Sequence, residues 1–413
     1  MVDALEAAHT PPPPSQRIGA IVQTSVFDTV NGIERRYTPY HVDADAPPGA
    51  SSAAAAVSAA HEALVALLPS QKTMLDERFA DSLAQIGGDP ESNDQSVARG
   101  LAWGRIVADE ILAWRATDGF TAVLPPYVAG TGPGAWQRTP PAFAAPAFRQ
   151  FATMTPFALT SPSQFLPAGP PPLASARYAR DFDEVKAFGS ATSTVRSPWE
   201  TQTAVFWQAD SPAAMWNRVA DDLADRQNTT LSQNARLLAL MNVALADATI
   251  AIWNAKNTFN TWRPITAIAQ AAGDGNPDTS PEAGWTPLIV TPAFQQYPSG
   301  HAGVSNAAAS VLASFYGDDT AFAVTRPACR ESSATSRASR TRSPRSSTRA
   351  CGAGSTSASP TRTPPPWAPG SQTTSSAPSC CPSTARRWAS SAAERRPRKR
   401  RTGPAAPAEA PAA

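Results

Sequence analysis

Cysteine is absent from the first 328 residues of this 413-residue chain. That part of the protein therefore has no disulfide framework, and its sequence carries no information about the redox compartment. A long uninterrupted apolar run is also lacking. The best candidate, residues 237–253, contains Asn242 and Asp247, so we predict no transmembrane helix. The opening residues, MVDALEAAHTPPPP, have neither a basic nor an apolar segment, so no signal peptide is predicted from Met1.

The formal net charge of +2 conceals a strong asymmetry along the chain. Residues 326–413 contain 15 Arg and 1 Lys against 3 Glu, a net charge of +13, which leaves −11 on residues 1–325. After Val324 the chain has no Leu, Ile, Val, Phe, Tyr or Met. We therefore predict a folded domain over residues 1–325 and a low-complexity tail over residues 326–413, rich in Arg, Ser, Pro and Ala. Such a tail cannot bury a core and is expected to be disordered.

Helical periodicity dominates the predicted domain, and no segment alternates convincingly like a strand. A Pro- and Gly-rich region at about residues 124–174 interrupts the helical pattern. The sequence therefore predicts an all-α fold, a helical bundle. The predicted helices cover residues 16–33, 51–69, 72–86, 95–116, 181–188, 197–208, 213–226, 232–258 and 301–316.

A short motif, Pro298-Ser299-Gly300-His301, directly precedes the last helical run. A helix N-terminus presents unpaired N–H groups and the positive end of the helix dipole, so it binds anions. Gly300 allows the backbone to approach closely, the Ser299 hydroxyl adds a donor, and His301 can protonate a leaving oxygen or hydrogen-bond an oxyanion. The alternative interpretation is an N-cap serine beside an incidental histidine.

Two cations, Lys256 and Arg263, lie upstream within the stretch AKNTFNTWRP. Seven helical steps come to within about 20° of two full turns, so both side chains are expected on one helix face. Pro264 should end or kink that helix just after the arginine. Two fixed cations suit a tetrahedral oxyanion, the arginine as a bidentate donor and the lysine as a point charge. Taken singly, each is more simply a solvated charge; the two motifs in this order favour an oxyanion site.

The pattern K-x6-R-P followed by P-S-G-H resembles a superfamily that includes type-2 phosphatidic acid phosphatases, bacterial acid phosphatases and vanadium-dependent haloperoxidases. The segments GLAWGRIVADEILAWRATDG, SARYARDFDEVKAFGS and TAVFWQAD look like its soluble bacterial haloperoxidase-like branch, and the resemblance covers roughly residues 3–325. It implies a helical bundle in which Lys256, Arg263, Ser299 and Gly300 hold phosphate or vanadate oxygens. His301 would be the acid–base histidine beside them.

A third motif of that family, S-R-x5-H, is absent from the chain as written, because no histidine follows His301. In the family its arginine binds the oxyanion, and its histidine is the phosphatase nucleophile or the axial vanadium ligand. We therefore considered another reading frame of the gene, in which each codon takes the third base of one residue and the first two bases of the next. In that frame, residues 347–359 can encode the sequence DARVWGGIHFRF. That string contains R-x-x-x-G-x-H, so we hypothesise a frameshift, real or a sequencing error, near Thr325 to Pro327. The alternative is a genuine basic arm that binds nucleic acid or acidic surfaces.

The resemblance leaves two activities open, because phosphate and vanadate share their shape and charge pattern. The first is that of a vanadium-dependent haloperoxidase-like oxidoreductase with vanadate as cofactor, which activates hydrogen peroxide for halide oxidation while Lys256 or His301 polarises the peroxide. The second is that of a soluble acid phosphatase-like hydrolase without a cofactor, which acts on phosphomonoesters through a phosphohistidine, with His301 as general acid. We favour the first.

A third interpretation is a degenerate, non-catalytic oxyanion-binding protein, because the axial histidine of the third motif is missing. For the same reason we expect little haloperoxidase or phosphatase activity from the 413-residue chain as its sequence stands. The expected partners are small molecules (hydrogen peroxide, halide or phosphomonoester), with no nucleic acid and no membrane span. Substrate and oligomeric state stay open. Localisation also stays open, because relatives commonly carry sequence before the first helix, and an upstream signal peptide would be missing from this start.

Overall fold

The computed structural model describes residues 1–88 and 93–324, together with the backbone of residues 339–340. The prediction of an all-α fold is confirmed, because helices account for nearly all the regular structure of these residues. The helices are α1 Val2–Ala7, α2 Pro12–Glu34, α3 Ser52–Leu67, α4 Lys72–Gly87, α5 Asp94–Arg115, α6 Ala176–Gly189, α7 Pro198–Gln208, α8 Pro212–Gln227, α9 Leu231–Phe259, α10 Pro264–Ala269 and α11 Gly300–Tyr316, with 3-10 turns at Pro69–Gln71, Arg149–Ala152 and Ala271–Gly273.

The only strand pair in this part of the chain is β1 Ala321–Phe322, antiparallel to β2 Ser339–Arg340. Apart from β2, the tail predicted over residues 326–413 lies outside the described residues. The predicted division into a domain over residues 1–325 and a disordered tail therefore stays a prediction.

Capping residues and first-turn prolines explain where several helices begin. The Ser51 side chain accepts a hydrogen bond from Ala54 N at the start of α3, and a reciprocal capping box joins Thr230 and Gln233 at the start of α9. Proline occupies the first turn of α2, α7, α8 and α10, where its missing N–H costs nothing. Of the helices, α1 and α10 were not predicted from sequence, and α6 begins at Ala176, five residues before its predicted start.

Helix α9 is the centre of the bundle, because it packs against α2 and α11 and contributes many fully buried residues, including Met241, Leu245 and Ile250. It is long and apolar enough to cross a bilayer, but 78% of its most apolar window is buried inside the protein. Helices α3 and α4 meet at a sharp bend, and they are long and apolar enough to cross a bilayer only if the two are counted as one span. Burial of this kind is the behaviour of a core helix.

Close approach of α3 and α5 depends on two glycines. A Cβ added at Gly100 would lie 2.5 Å from the carbonyl oxygen of Ser51, and one added at Gly104 would lie 2.3 Å from that of Ala55. Both distances are far below ordinary van der Waals contact. The two glycines are one turn apart on α5, so they let the helix backbones come together along one face.

Buried carboxylates attach the irregular segments to the bundle. Asp247 on α9 accepts the backbone N–H groups of Phe157, Ala158 and Leu159 at 2.6, 2.7 and 2.8 Å. Asp28 on α2 accepts those of residues 40, 41 and 42 in the same way. The long irregular region is therefore fixed on α9, the helix that also carries the first candidate site residue.

Candidate active site

Lys256 lies in the last turn of α9, and its side chain is held by backbone oxygens. Its Nζ donates to the carbonyl oxygens of Gln295 at 2.7 Å and Gln296 at 3.1 Å. Only 1% of the residue is exposed to solvent. The α9 helix therefore delivers an ammonium group into the interior, directly onto the segment that precedes the Pro298–His301 motif.

Arg263 is not on the same helix as Lys256, so the prediction that they share one helix face was wrong. Helix α9 ends at Phe259, because Asn260 adopts the left-handed conformation that closes a helix C-terminus. Residues 260–262 instead pair with the irregular region: Trp136 N donates to Asn260 O, and Trp262 N donates to Gly134 O. Arg263 then caps α10, whose first residue is Pro264.

The two cations nevertheless converge on the same segment. The Arg263 Nε donates to the carbonyl oxygen of Phe294 at 2.5 Å, and its Nη1 donates to Oε1 of Gln296 at 2.8 Å. The Phe294 ring lies 5.2 Å from Lys256 Nζ and 4.6 Å from Arg263 Cζ, within the range of a cation–π interaction. Phe294, Gln295 and Gln296 were not singled out from sequence, and only their position just before the Pro298–His301 motif pointed to them.

Neither cation has a carboxylate at ion-pair distance among the residues that the structure describes. Burial, and secondarily the charge of Arg263, lower the pKa of Lys256 well below its ordinary value. Burial alone lowers the pKa of Arg263 to about 9. A buried positive charge without a carboxylate partner favours binding of an anion, because the anion supplies the missing counter-charge.

The Pro298–His301 motif forms the predicted helix start. Ser299 is the N-cap of α11, and its hydroxyl accepts a hydrogen bond from Ala302 N at 3.3 Å. A Cβ added at Gly300 would meet no atom within 4 Å, so there is open space beside this backbone. The first N–H groups of α11 have no carbonyl partner within the helix. These features leave room and donors for an oxyanion at the helix N-terminus.

His301 lies at the exposed edge of the site and hydrogen-bonds the backbone of Trp207, the penultimate residue of α7. Protein atoms crowd the imidazole and displace part of its water, which lowers its pKa; the charge of Lys256 lowers the pKa further, and the Trp207 hydrogen bond raises it. Trp207 was quoted only as part of a family-like segment, and its carbonyl could not be assigned to His301 from sequence.

The donors that remain free fit a tetrahedral oxyanion such as vanadate or phosphate. Arg263 as a whole is only 9% exposed, and its Nη2 is buried without a hydrogen-bond partner. An orphaned buried donor is costly unless a ligand satisfies it. Among the residues that the structure describes, no group of three or more His, Cys, Asp or Glu side chains is placed to hold a metal ion.

Comparisons with known proteins show a likeness to vanadium haloperoxidases. A family model described as the VCPO second helical-bundle domain matches residues 236–364. The vanadium chloroperoxidase of Curvularia inaequalis is 31% identical over 189 residues, 38% of this chain and 30% of that protein, so the match spans less than a third of the curated relative. Over the regions that they match, both comparisons show a likeness to the vanadium haloperoxidase superfamily.

Solved structures extend the likeness over most of the chain. The first bacterial vanadium-dependent iodoperoxidase is 27% identical with a TM-score of 0.69, and the match covers 82% of this chain and 84% of that one. A bacterial vanadium-dependent chloroperoxidase in its holo form is 16% identical with a TM-score of 0.57, over 75% of this chain and 78% of that one. The second likeness concerns the fold alone.

Proposed function

We propose that this chain is a haloperoxidase-like oxidoreductase that holds vanadate and oxidises halide with hydrogen peroxide. The observation that carries the proposal is the pair of buried cations, Lys256 and Arg263, which lack a carboxylate partner among the described residues and lie beside the N-terminus of α11. The relatives named as vanadium iodoperoxidase and vanadium chloroperoxidase support this choice over other oxyanion chemistry.

Each site residue has a defined task in this proposal. Lys256 and the free Nη2 of Arg263 would bind the oxyanion from one side, while Ser299 and the backbone N–H of Gly300 would bind it at the helix N-terminus. When bound, vanadate supplies a Lewis acid that activates hydrogen peroxide towards halide. Burial of the two cations excludes water and strengthens their attraction for the anion.

His301 would move the proton. Its lowered pKa keeps the imidazole neutral near pH 7, and a ring N–H that donates to the Trp207 carbonyl leaves the other ring nitrogen as the acceptor. A neutral acceptor of this kind can take a proton from an incoming hydroperoxide and return it later. Lys256 would polarise the peroxide electrostatically, since its charge lies close enough to act on His301.

The second histidine that the family resemblance requires would come, in this proposal, from the shifted frame of residues 347–359. Those residues lie outside the described part of the chain. The proposed frameshift near Thr325 to Pro327 explains why apolar residues and the third motif disappear together from the written sequence. The chain as written would then retain one side of the site and lack the residue opposite His301.

The decisive experiment compares two proteins, the written chain and the frame-corrected chain, each assayed with and without vanadate. We expect peroxide-dependent bromination by the frame-corrected chain only with vanadate, and little activity from the written chain. An R263M variant of the corrected chain should lose bromination. The control R105M should keep it, because the Arg105 side chain on α5 is exposed. Turnover of p-nitrophenyl phosphate that vanadate inhibits would instead identify a phosphatase and overturn the proposal.

A further inference from the structure

Gln296 is the one residue that contacts both buried cations through hydrogen bonds in the described part of the chain. Its backbone carbonyl accepts from Lys256 Nζ at 3.1 Å, and its side-chain Oε1 accepts from Arg263 Nη1 at 2.8 Å. Its own backbone N–H donates to the carbonyl oxygen of Thr261 at 3.1 Å. The residue is therefore fixed to the chain that carries Arg263 as well as to the end of α9.

These contacts determine which donors stay free for a ligand. Lys256 has three ammonium N–H groups and uses two of them on the carbonyls of Gln295 and Gln296. Arg263 uses Nε on Phe294 and Nη1 on Gln296, while Nη2 is buried without a partner. Because Nε and Nη1 are both held by hydrogen bonds, the planar guanidinium cannot turn, and Gln296 helps to fix the direction of the unpartnered Nη2.

The chemistry of the side chain at this position is as important as its shape. A glutamate at position 296 would reach Arg263 equally well, but its carboxylate would cancel one of the two positive charges and repel an oxyanion. The neutral amide oxygen orients Arg263 without that cancellation. Since no other described carboxylate forms an ion pair with Lys256 or Arg263, the charge of the site depends on this choice.

We propose that Gln296 is a positioning residue that makes the site selective for multiply charged tetrahedral oxyanions over singly charged ones. It does so by aligning Arg263 through a neutral acceptor and by leaving both positive charges uncompensated. The inference rests on the proposed oxyanion site and goes beyond it, because it assigns the discrimination between anions of different charge to one side chain.

Sulfate and perchlorate test the proposal directly, because both are tetrahedral, neither titrates near pH 7, and they differ by one unit of charge. Their affinities would be measured by calorimetry at low ionic strength for the 413-residue chain and for Q296E, Q296M and Q85E. Gln85 is exposed on α4, so Q85E adds the same charge away from the site. Thermal melting would confirm that each variant is folded.

The Q296E variant should weaken sulfate far more than perchlorate. The repulsion from an added negative charge is proportional to the charge of the anion, so a loss of about tenfold for perchlorate implies a loss of about a hundredfold for sulfate. The isosteric Q296M, which removes the acceptor without adding charge, should weaken both anions by a similar factor of about three to ten. The control Q85E should change neither.

Two results would overturn the proposal, and they are distinguishable from failure of the site itself. If Q296E weakens both anions by the same factor, position 296 has only a structural role. If Q296M binds both anions as the parent does, the side chain does not align Arg263, and this second readout holds even where Q296E does not fold. If the parent chain binds neither sulfate nor vanadate, the oxyanion site itself is wrong, and the role of Gln296 falls with it.

Discussion

Burial of the Lys256 charge lowers the stability of the fold, and the proposed anion site needs that charge. The residue is 1% exposed, and its ammonium group is hydrogen-bonded to carbonyl oxygens rather than to a carboxylate. Transfer of such a charge from water to the interior is unfavourable, and two neutral acceptors offset only part of the cost. The unfavourable burial of this charge is what the proposed anion site would require.

Substitution of Lys256 by methionine should separate these two effects. K256M keeps the length of the side chain and removes the buried charge, so we expect the free energy of unfolding to rise by about 1–2 kcal/mol. The carbonyls of Gln295 and Gln296 lose a donor, which is tolerated better than an orphaned N–H. Urea denaturation measures the stability and calorimetry the loss of sulfate binding. K72M, on the exposed start of α4, is the control that should retain binding.

The pH dependence of stability gives an independent check on Lys256. Burial lowers its pKa below the ordinary 10.5, so between that lowered pKa and 10.5 the unfolded chain binds a proton that the folded chain does not. The stability associated with this group is therefore fully present above 10.5 and is lost as the pH falls through the lowered pKa. The stability difference between K256M and the parent should therefore shrink as the pH rises from that lowered pKa towards 10.5. A constant difference would contradict the lowered pKa.

At the scale of elements, the contact between α3 and α5 leaves no room for a side chain at Gly104. An alanine methyl there would lie 2.3 Å from the Ala55 carbonyl oxygen and 2.8 Å from Ser58 Cβ, so the helices must separate. We expect G104A to lower the free energy of unfolding by about 1–3 kcal/mol, because overpacking outweighs the helix propensity of alanine, which is worth about 1 kcal/mol.

The matched control for that substitution is G87A at the end of α4, where an added Cβ meets nothing within 4 Å. It should leave stability unchanged or raise it slightly, since only the propensity gain remains. Thermal or urea unfolding of both variants decides the matter. Equal behaviour of G104A and G87A would show that α3 and α5 can adjust their spacing at little cost.

The helices that sequence predicted best are those with strong local signals. Ser51 and Thr230 cap α3 and α9, and the apolar periodicity of both helices extends over several turns. The end of α9 was missed because its signal is not local. Asn260 adopts a left-handed conformation, and its backbone carbonyl accepts from Trp136, a residue that is distant in sequence. Helical spacing alone therefore gave the wrong relation between Lys256 and Arg263.

At the scale of the molecule, motif spacing predicted the charged members of the site but not the groups that orient them. Lys256 and Arg263 both contact Gln296, just before the Pro298–His301 motif, and the charge of Lys256 acts on His301. That these residues bind one oxyanion together with Ser299 and Gly300 stays a prediction. The carbonyls of Phe294, Gln295 and Trp207 leave no trace in a sequence pattern, because every residue has a carbonyl. Their selection depends on the tertiary path of the chain.

The composition of residues 326–413 leads to a prediction about the gene as well as about the protein. Resequencing across codons 320–330 should reveal an inserted or deleted base near Thr325 to Pro327, after which the chain continues into the string DARVWGGIHFRF. Such a repair would add an arginine and a histidine to the site and restore apolar residues after Val324. An intact frame that encodes the tail as written would refute the frameshift hypothesis.

Because Lys256 and Arg263 have no carboxylate partner among the described residues, the stability of the fold should depend on which anions the buffer contains. Any anion that binds the native site stabilises it by RT ln(1 + [L]/Kd), about 2.7 kcal/mol at a hundred times Kd. The parent chain should therefore melt at a higher temperature in sulfate than in chloride of equal ionic strength, and K256M should lose most of that difference. Melting temperature then reports occupancy of the site without a substrate or a turnover. If the proposed site binds these anions, a preparation purified in phosphate or sulfate would start every assay with a competitor already bound.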